Sequence, residues 1–130
     1  MTEIVNDWPP NIKSIRAVLP VSRDNIFAYG GKIYSPGASR LDSALIEHEK
    51  VHFTQQGKDV EGWWEKFLAN KQFRLSQEIP AHQAEWAEFL RGNPGRKARR
   101  VRLKGMAKRL SAPMYGRLIS TGQAKKAILG

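Results

Sequence analysis

The apolar positions change their period once along the chain, near residue 41. Before it, two short β-rich runs at 25–29 and 32–34 flank Gly30-Gly31, the pattern of a hairpin. Ser35-Pro36-Gly37 closes that hairpin, and Ile12, Ile15, Ala17 and Leu19 lie in a strand-like stretch ending at Pro20. Trp8-Pro9-Pro10 is extended or turned, because proline biases its predecessor away from helix. The N-terminal third therefore predicts a small antiparallel sheet of two or three strands. From Leu41 onward, Leu41, Ala44, Leu45, His48, Val51, His52 and Gln55 recur in steps of three and four, which predicts a helix with one inward face. Asp42 or Ser39 suits its N-cap, and Gly57 its stop. A second helix is expected over 59–70, with Trp63, Trp64, Phe67 and Leu68 on its apolar face. A third is expected over 75–91, carrying Ile79, His82, Trp86, Phe89 and Leu90, with Pro80 in its first turn. Trp63, Trp64 and Trp86 read as core between these helices.

The first predicted helix carries His48-Glu49-Lys50-Val51-His52, an H-E-x-x-H motif. Four residues advance a helix by roughly 400°, so both imidazoles leave one face about a turn apart. Such a pair can grip one Zn²⁺ through nitrogen. Glu49 is displaced by about 100° from His48, where it serves as general base toward a water rather than as a ligand. The chain has no cysteine, so any zinc here is held by histidine and carboxylate. A catalytic zinc usually takes three protein ligands. Glu78, His82, Glu85 and Glu88 are the candidates, and the first three share a helix face. Glu78 completes a His₂Glu set and His82 a His₃ set. Glu85 and Glu88 are expected to face solvent or pair with Lys/Arg. Asp42, Glu47 and Asn70 are available to orient the histidines, and Tyr29, Tyr34 or His82 to stabilise an oxyanion. The edge of the hairpin could hold an extended peptide by strand addition.

The runs Leu45-Ile46-Glu47-His48-Glu49-Lys50-Val51-His52-Phe53-Thr54-Gln55-Gln56, Gly62-Trp63-Trp64 and Phe73-Arg74-Leu75-Ser76-Gln77-Glu78-Ile79-Pro80-Ala81-His82-Gln83 resemble the small zincin-type metallopeptidases encoded by bacteriophages and prophages. These are minimal gluzincins with a short sheet, a motif helix and a glutamate-bearing helix. The resemblance spans roughly residues 29–86 and implies an α+β fold. It implies His48, His52 and Glu78 as ligands of one Zn²⁺, Ala81 matching the alanine of an E-x-x-A segment. It also implies zinc-dependent hydrolysis of a peptide or protein substrate, with Glu49 as general base. His82 stands where the family pattern favours an aromatic residue.

Charge divides the chain differently. Residues 1–90 carry 10 Lys/Arg and 12 Asp/Glu, whereas residues 91–130 carry 12 Lys/Arg and no acid, which accounts for the whole net charge of +10. Arg91-Gly92-Asn93-Pro94-Gly95 marks the change with turn chemistry. The expected organisation is a zincin-like domain over 1–91 and a basic helical extension over 92–130, broken at Pro113 and Gly122. On this reading the charge is separate from the metal site. Arg96, Lys97, Arg99, Arg100, Arg102, Lys104, Lys108 and Arg109 are candidate contacts to nucleic acid or to a virion or other partner protein. Val101, Leu103, Met106, Leu110, Met114, Leu118 and Ile119 argue that the extension is amphipathic and docks on something. No transmembrane run or signal peptide is evident, so the expected location is the bacterial host cytoplasm or the virion. Two other functions compete: a non-enzymatic phage structural or assembly protein with a zincin fold, and a nucleic-acid-binding protein whose histidine motif is accidental.

Overall fold

A computed structural model describes residues 2–113 and 116–130. Met114 of the amphipathic set lies outside the described residues. The elements run β1 (Glu3–Val5), α1 (Ile12–Arg16), β2 (Phe27–Tyr29), β3 (Lys32–Tyr34), α2 (Ser43–Gln56), α3 (Val60–Ala69), α4 (Lys71–Arg91), α5 (Arg96–Leu110) and α6 (Thr121–Leu129). The fold is α+β and mostly helical. No helix among the described residues is long and apolar enough to cross a membrane.

The hairpin forms as its glycines predict. Gly30 and Gly31 take φ of +61° and +82°, the positive values that a two-residue hairpin turn of type I′ needs at both central positions. β2 and β3 pair antiparallel, with Phe27 opposite Tyr34. The sheet is mixed, however, because β1 pairs parallel to β3, with Glu3 opposite Lys32. The third strand thus comes from the extreme N-terminus. The stretch at Ile12 and Ile15, expected as strand, is the short helix α1, with Ile15 buried. Ile12 and Ile15 are three apart and serve one helix face, whereas the two-residue steps of Ile15, Ala17 and Leu19 carry the strand-like signal.

Helix α2 begins and ends at its predicted signals. The Asp42 carboxylate accepts from the Leu45 N–H at 2.9 Å, and Gly57 stops the helix at φ +53°. Helices α3 and α4 are separated by Asn70 alone, which ends one and caps the next through the Phe73 N–H at 3.0 Å. Helix α4 therefore starts earlier than expected, and Pro80 lies in its interior rather than its first turn. An interior proline costs roughly 3 kcal/mol through a lost hydrogen bond and a ring clash. Pro80 and Ser76, whose carbonyl loses the N–H partner, are both exposed, so water can satisfy that oxygen.

Two apolar clusters flank α4. One joins Ile15, Leu19, Phe27, Trp63, Trp64 and Phe67, with Tyr29, Tyr34 and Phe73 packed against it. The other joins Leu75 of α4 to Met106, Ala107, Leu110, Ala124 and Ile128, with Ile79, Trp86, Leu103 and Ile119 alongside. Helices α5 and α6 thus pack on α4 through a core of their own. Gly122 lies inside α6, whose start is set instead by a Ser120–Gln123 capping box. Side-chain bonds lock the sheet to the helices: the Gln56 amide donates to the Ala28 carbonyl at 2.7 Å, and the Trp64 indole N–H to the same oxygen at 3.1 Å.

Candidate metal centre

Helices α2 and α4 pack along each other and bring the motif face of one against the glutamate face of the other. Ala44 and Ala81, both buried, are the small residues that let these two backbones approach. Between them lie His48, Glu49 and His52 from α2, and Glu78, His82 and Glu85 from α4, all buried.

Three imidazoles turn their Nε2 atoms toward the Glu78 carboxylate. His48 Nε2 is 3.7 Å and His82 Nε2 is 3.9 Å from Glu78 Oε2, while His52 Nε2 contacts Glu78 Oε1. The opposite ring nitrogens are held from outside. Glu85 Oε1 lies 3.0 Å from His48 Nδ1 and 2.9 Å from His82 Nδ1, and Gln55 Oε1 lies 2.8 Å from His52 Nδ1. Gln55 is oriented in turn by donating to the Gln77 carbonyl at 2.9 Å. With Nδ1–H donating outward, a ring that gives up its Nε2 proton to a binding cation points a lone pair inward, the tautomer that a metal ligand needs. Ligand atoms of His48, His52 and Glu78 lie within 4.8 Å of one another, a group able to hold a metal ion. His48, His82 and Glu85 form a second such group. Two contacts from Arg102 to Glu85 Oε2, at 3.0 and 2.9 Å, make that second group a hydrogen-bonded network rather than a cation site.

The protonation pattern follows from crowding. Burial opposes charge on His48, yet the Glu78, Glu85 and Glu49 carboxylates outweigh it and raise the imidazole to about 10. Burial also opposes ionisation of Glu78, but His52 and His48 hold its carboxyl well below the usual range. His52 is raised in the same way against its burial, chiefly by Glu78. His82 is lowered, by burial first and by the neighbouring His48. Glu49 is raised by burial, despite the attraction of His48 and His52. Its Oε2 atom is buried and has no hydrogen-bond partner among the described residues. Buried polar atoms are rarely left so, and an orphan at such a place asks for a missing water or ion. Imidazole nitrogens, a carboxylate and this orphan oxygen together fit a borderline-soft divalent cation with its water.

Glu49, His48, His52, Glu78 and His82 form one wall of a cavity of about 520 Å³. Ile15, Leu19, Phe27, Leu45 and Trp64 supply much of the rest, and Arg40 and Arg109 also line it. Strand β2 stands at the sheet edge and contributes Phe27 and Ala28 to the lining.

Glu85, expected to face solvent or pair with a cation, is wholly buried and does both orienting and pairing. Glu88 is paired with Arg91 at 3.5 Å near the end of α4. Of the orienting groups expected, Asp42 acts only at one remove through Arg102, Asn70 is a helix cap, and Glu47 pairs with Lys50 at 3.2 Å. Gln55 and Glu85 fill that role instead. Glu85 carried a legible signal, its three-residue step from His82 on the ligand face. Tyr29 and Tyr34 pack against the tryptophan cluster, and neither lines the cavity. Arg96, Lys97, Arg99, Arg100, Lys104, Lys108 and Arg109 are exposed on α5. Arg102 turns inward onto Glu85, so the basic segment and the candidate metal centre are physically joined. A scan against protein-family models, a search of curated proteins and a search of solved structures each found no match.

Proposed function

We propose that this protein is a zinc-dependent peptidase of the minimal zincin type, with His48, His52 and Glu78 holding the ion and Glu49 acting as general base. The observation that carries the proposal is the convergence of imidazole Nε2 atoms on Glu78 beside a buried, unpartnered Glu49 oxygen, at the wall of a cavity. The zincin reading is supported by the order of short sheet, motif helix and glutamate-bearing helix, and by their packing. When bound, zinc supplies Lewis-acid polarisation of a carbonyl and activation of water. Glu85 and Gln55 fix the tautomer and aim of the ligating rings. Glu49 takes up a proton at its unpartnered oxygen, and burial, which raises its pKa above the ordinary carboxylate value, favours that uptake. The apolar cavity walls lower the local dielectric around the reacting carbonyl. A peptide seated in this largely apolar cavity beside Glu49 is the substrate class that the reading implies; the outward Ala28 carbonyl of β2 already accepts from Gln56 and Trp64, so strand addition at that edge is not part of it. The exposed cations of α5 fit a polyanionic or acidic partner, with phosphate contacts weakening as salt rises.

A second reading has its own observation. His82 Nε2 faces the same carboxylate as the other two rings. If His82 fills a fourth position, the ion is closed off and the protein is a structural or assembly component. Metal analysis and digestion of an unfolded protein substrate separate the two. The peptidase reading expects about one zinc per chain in the wild type and in Glu49→Gln, loss of zinc in His48→Ala, and hydrolysis by the wild type alone. Zinc without hydrolysis, with His82→Ala changing the metal's coordination, supports the closed site. No zinc in the wild type overturns both.

A further inference from the structure

The Glu85 carboxylate is wholly buried, yet it touches nitrogen on every side. One oxygen sits between His48 Nδ1 and His82 Nδ1. The other takes Nε of Arg102 at 3.0 Å and a terminal guanidinium nitrogen at 2.9 Å. The remaining terminal nitrogen of Arg102 reaches Asp42 Oδ2 at 2.8 Å, the carboxylate that caps α2. The guanidinium also lies 5.1 Å from the Phe89 ring centroid. Arg102 is thus seated by groups on both site helices and by an aromatic face, although it belongs to the most basic segment of the chain.

Two imidazole N–H groups on one oxygen do not fix the rotation of a carboxylate, because the other oxygen remains free to swing. A planar fork on the second oxygen does fix it. We infer that Arg102 is a positioning residue of the metal centre: from the basic helix it holds Glu85 so that one oxygen accepts from both His48 and His82, leaving both Nε2 atoms facing Glu78. The inference rests on the metal-site reading of the preceding section. It assigns helix α5 a part in building the site, apart from whatever its exposed cations bind.

The test uses the full chain and Zn²⁺ and Co²⁺ alone. Zinc affinity is read by competition with a chromophoric chelator, and coordination by the visible absorption of the Co²⁺-loaded protein. Arg102→Gln should weaken zinc binding by about 10-fold, the lower end of the effect of losing an outer hydrogen-bond partner of a ligand, because it acts on His48 through Glu85, and should alter the Co²⁺ bands. Arg102→Lys, which keeps charge and stem but loses the fork, should fall between, and it reports on the fork alone even where the neutral variant unfolds. Arg99→Ala, an exposed cation of the same helix, should match the wild type. In a double-mutant cycle, Arg102→Gln and Glu85→Gln should cost less together than the sum of their separate losses, since both act through one carboxylate. Unchanged affinity and Co²⁺ spectrum in Arg102→Gln and Arg102→Lys, or strictly additive losses, overturn the positioning role and leave the metal site standing. A wild type that binds neither ion overturns the metal-site reading itself.

Discussion

Replacing Glu49 with Gln should trade function for stability. The substitution conserves shape, but removes a charge whose Oε2 is buried and unpartnered among the described residues. In the metal-free protein a Gln amide is just as unpartnered there, so what the substitution relieves is the cost of burying the charge, on the order of 1–3 kcal/mol. Melting entropy is about 2.1 cal/mol/K per residue, or roughly 0.27 kcal/mol/K for this chain, so relief of that cost raises Tm by about 4–11 °C. The gain should depend on pH in one direction. Burial raises Glu49 above its ordinary value near 4.5, so the folded wild type binds more protons than the unfolded chain. Its contribution to stability is therefore fully present below about pH 4.5 and is lost as pH rises through the folded-state value. The Gln variant lacks that loss, and its advantage should grow from pH 4 upward and then level off. Thermal melts of both proteins in chelator, across pH 4 to 9, measure the difference. In parallel, loss of the general base should lower hydrolysis by about 10²–10⁴-fold. Equal melting points at pH 8, or an advantage that shrinks as pH rises, would refute the argument that Glu49 is held at a cost.

Two further substitutions test the packing. Leu110→Ala, in the cluster that joins α5 and α6 to α4, should destabilise the protein by about 2–5 kcal/mol, measured by urea unfolding at unchanged m-value; a change under 1 kcal/mol would mean that the basic helices are not part of the cooperative core. Gly37→Ala should lower Tm by several degrees, because a Cβ there would lie 2.6 Å from the Arg23 carbonyl oxygen, a backbone atom that cannot swing aside; an unaltered melt would show that the loop shifts freely.

Much of helix α2 was legible in the sequence because its signals are local. The three- and four-residue period, the Asp42 cap, the Gly57 stop and the one-turn separation of His48 and His52 all act within a few residues of one another. The Gly30-Gly31 turn was legible for the same reason. Helix α4 is longer than the stretch over 75–91 that its period predicts: Asn70 provides the cap, Pro80 lies in the interior rather than near the first turn, and solvent around Ser76 tolerates the proline. The pairing of β1 with β3 joins Glu3 to Lys32, and no local pattern announces it.

By itself, the sequence determined the type of donor available: two histidines one turn apart, a glutamate between them, and no cysteine anywhere. Only the tertiary structure decided which acids and cations serve them. It turned Glu85 inward between His48 and His82, and it brought Arg102 across 17 residues to Glu85 and across 60 to Asp42. Helix periodicity is set by each residue's near neighbours, so it can be read along the chain. The surroundings of a buried carboxylate are set by which helices pack together, and the apolar faces that decide this say nothing of the polar contacts that the packing creates.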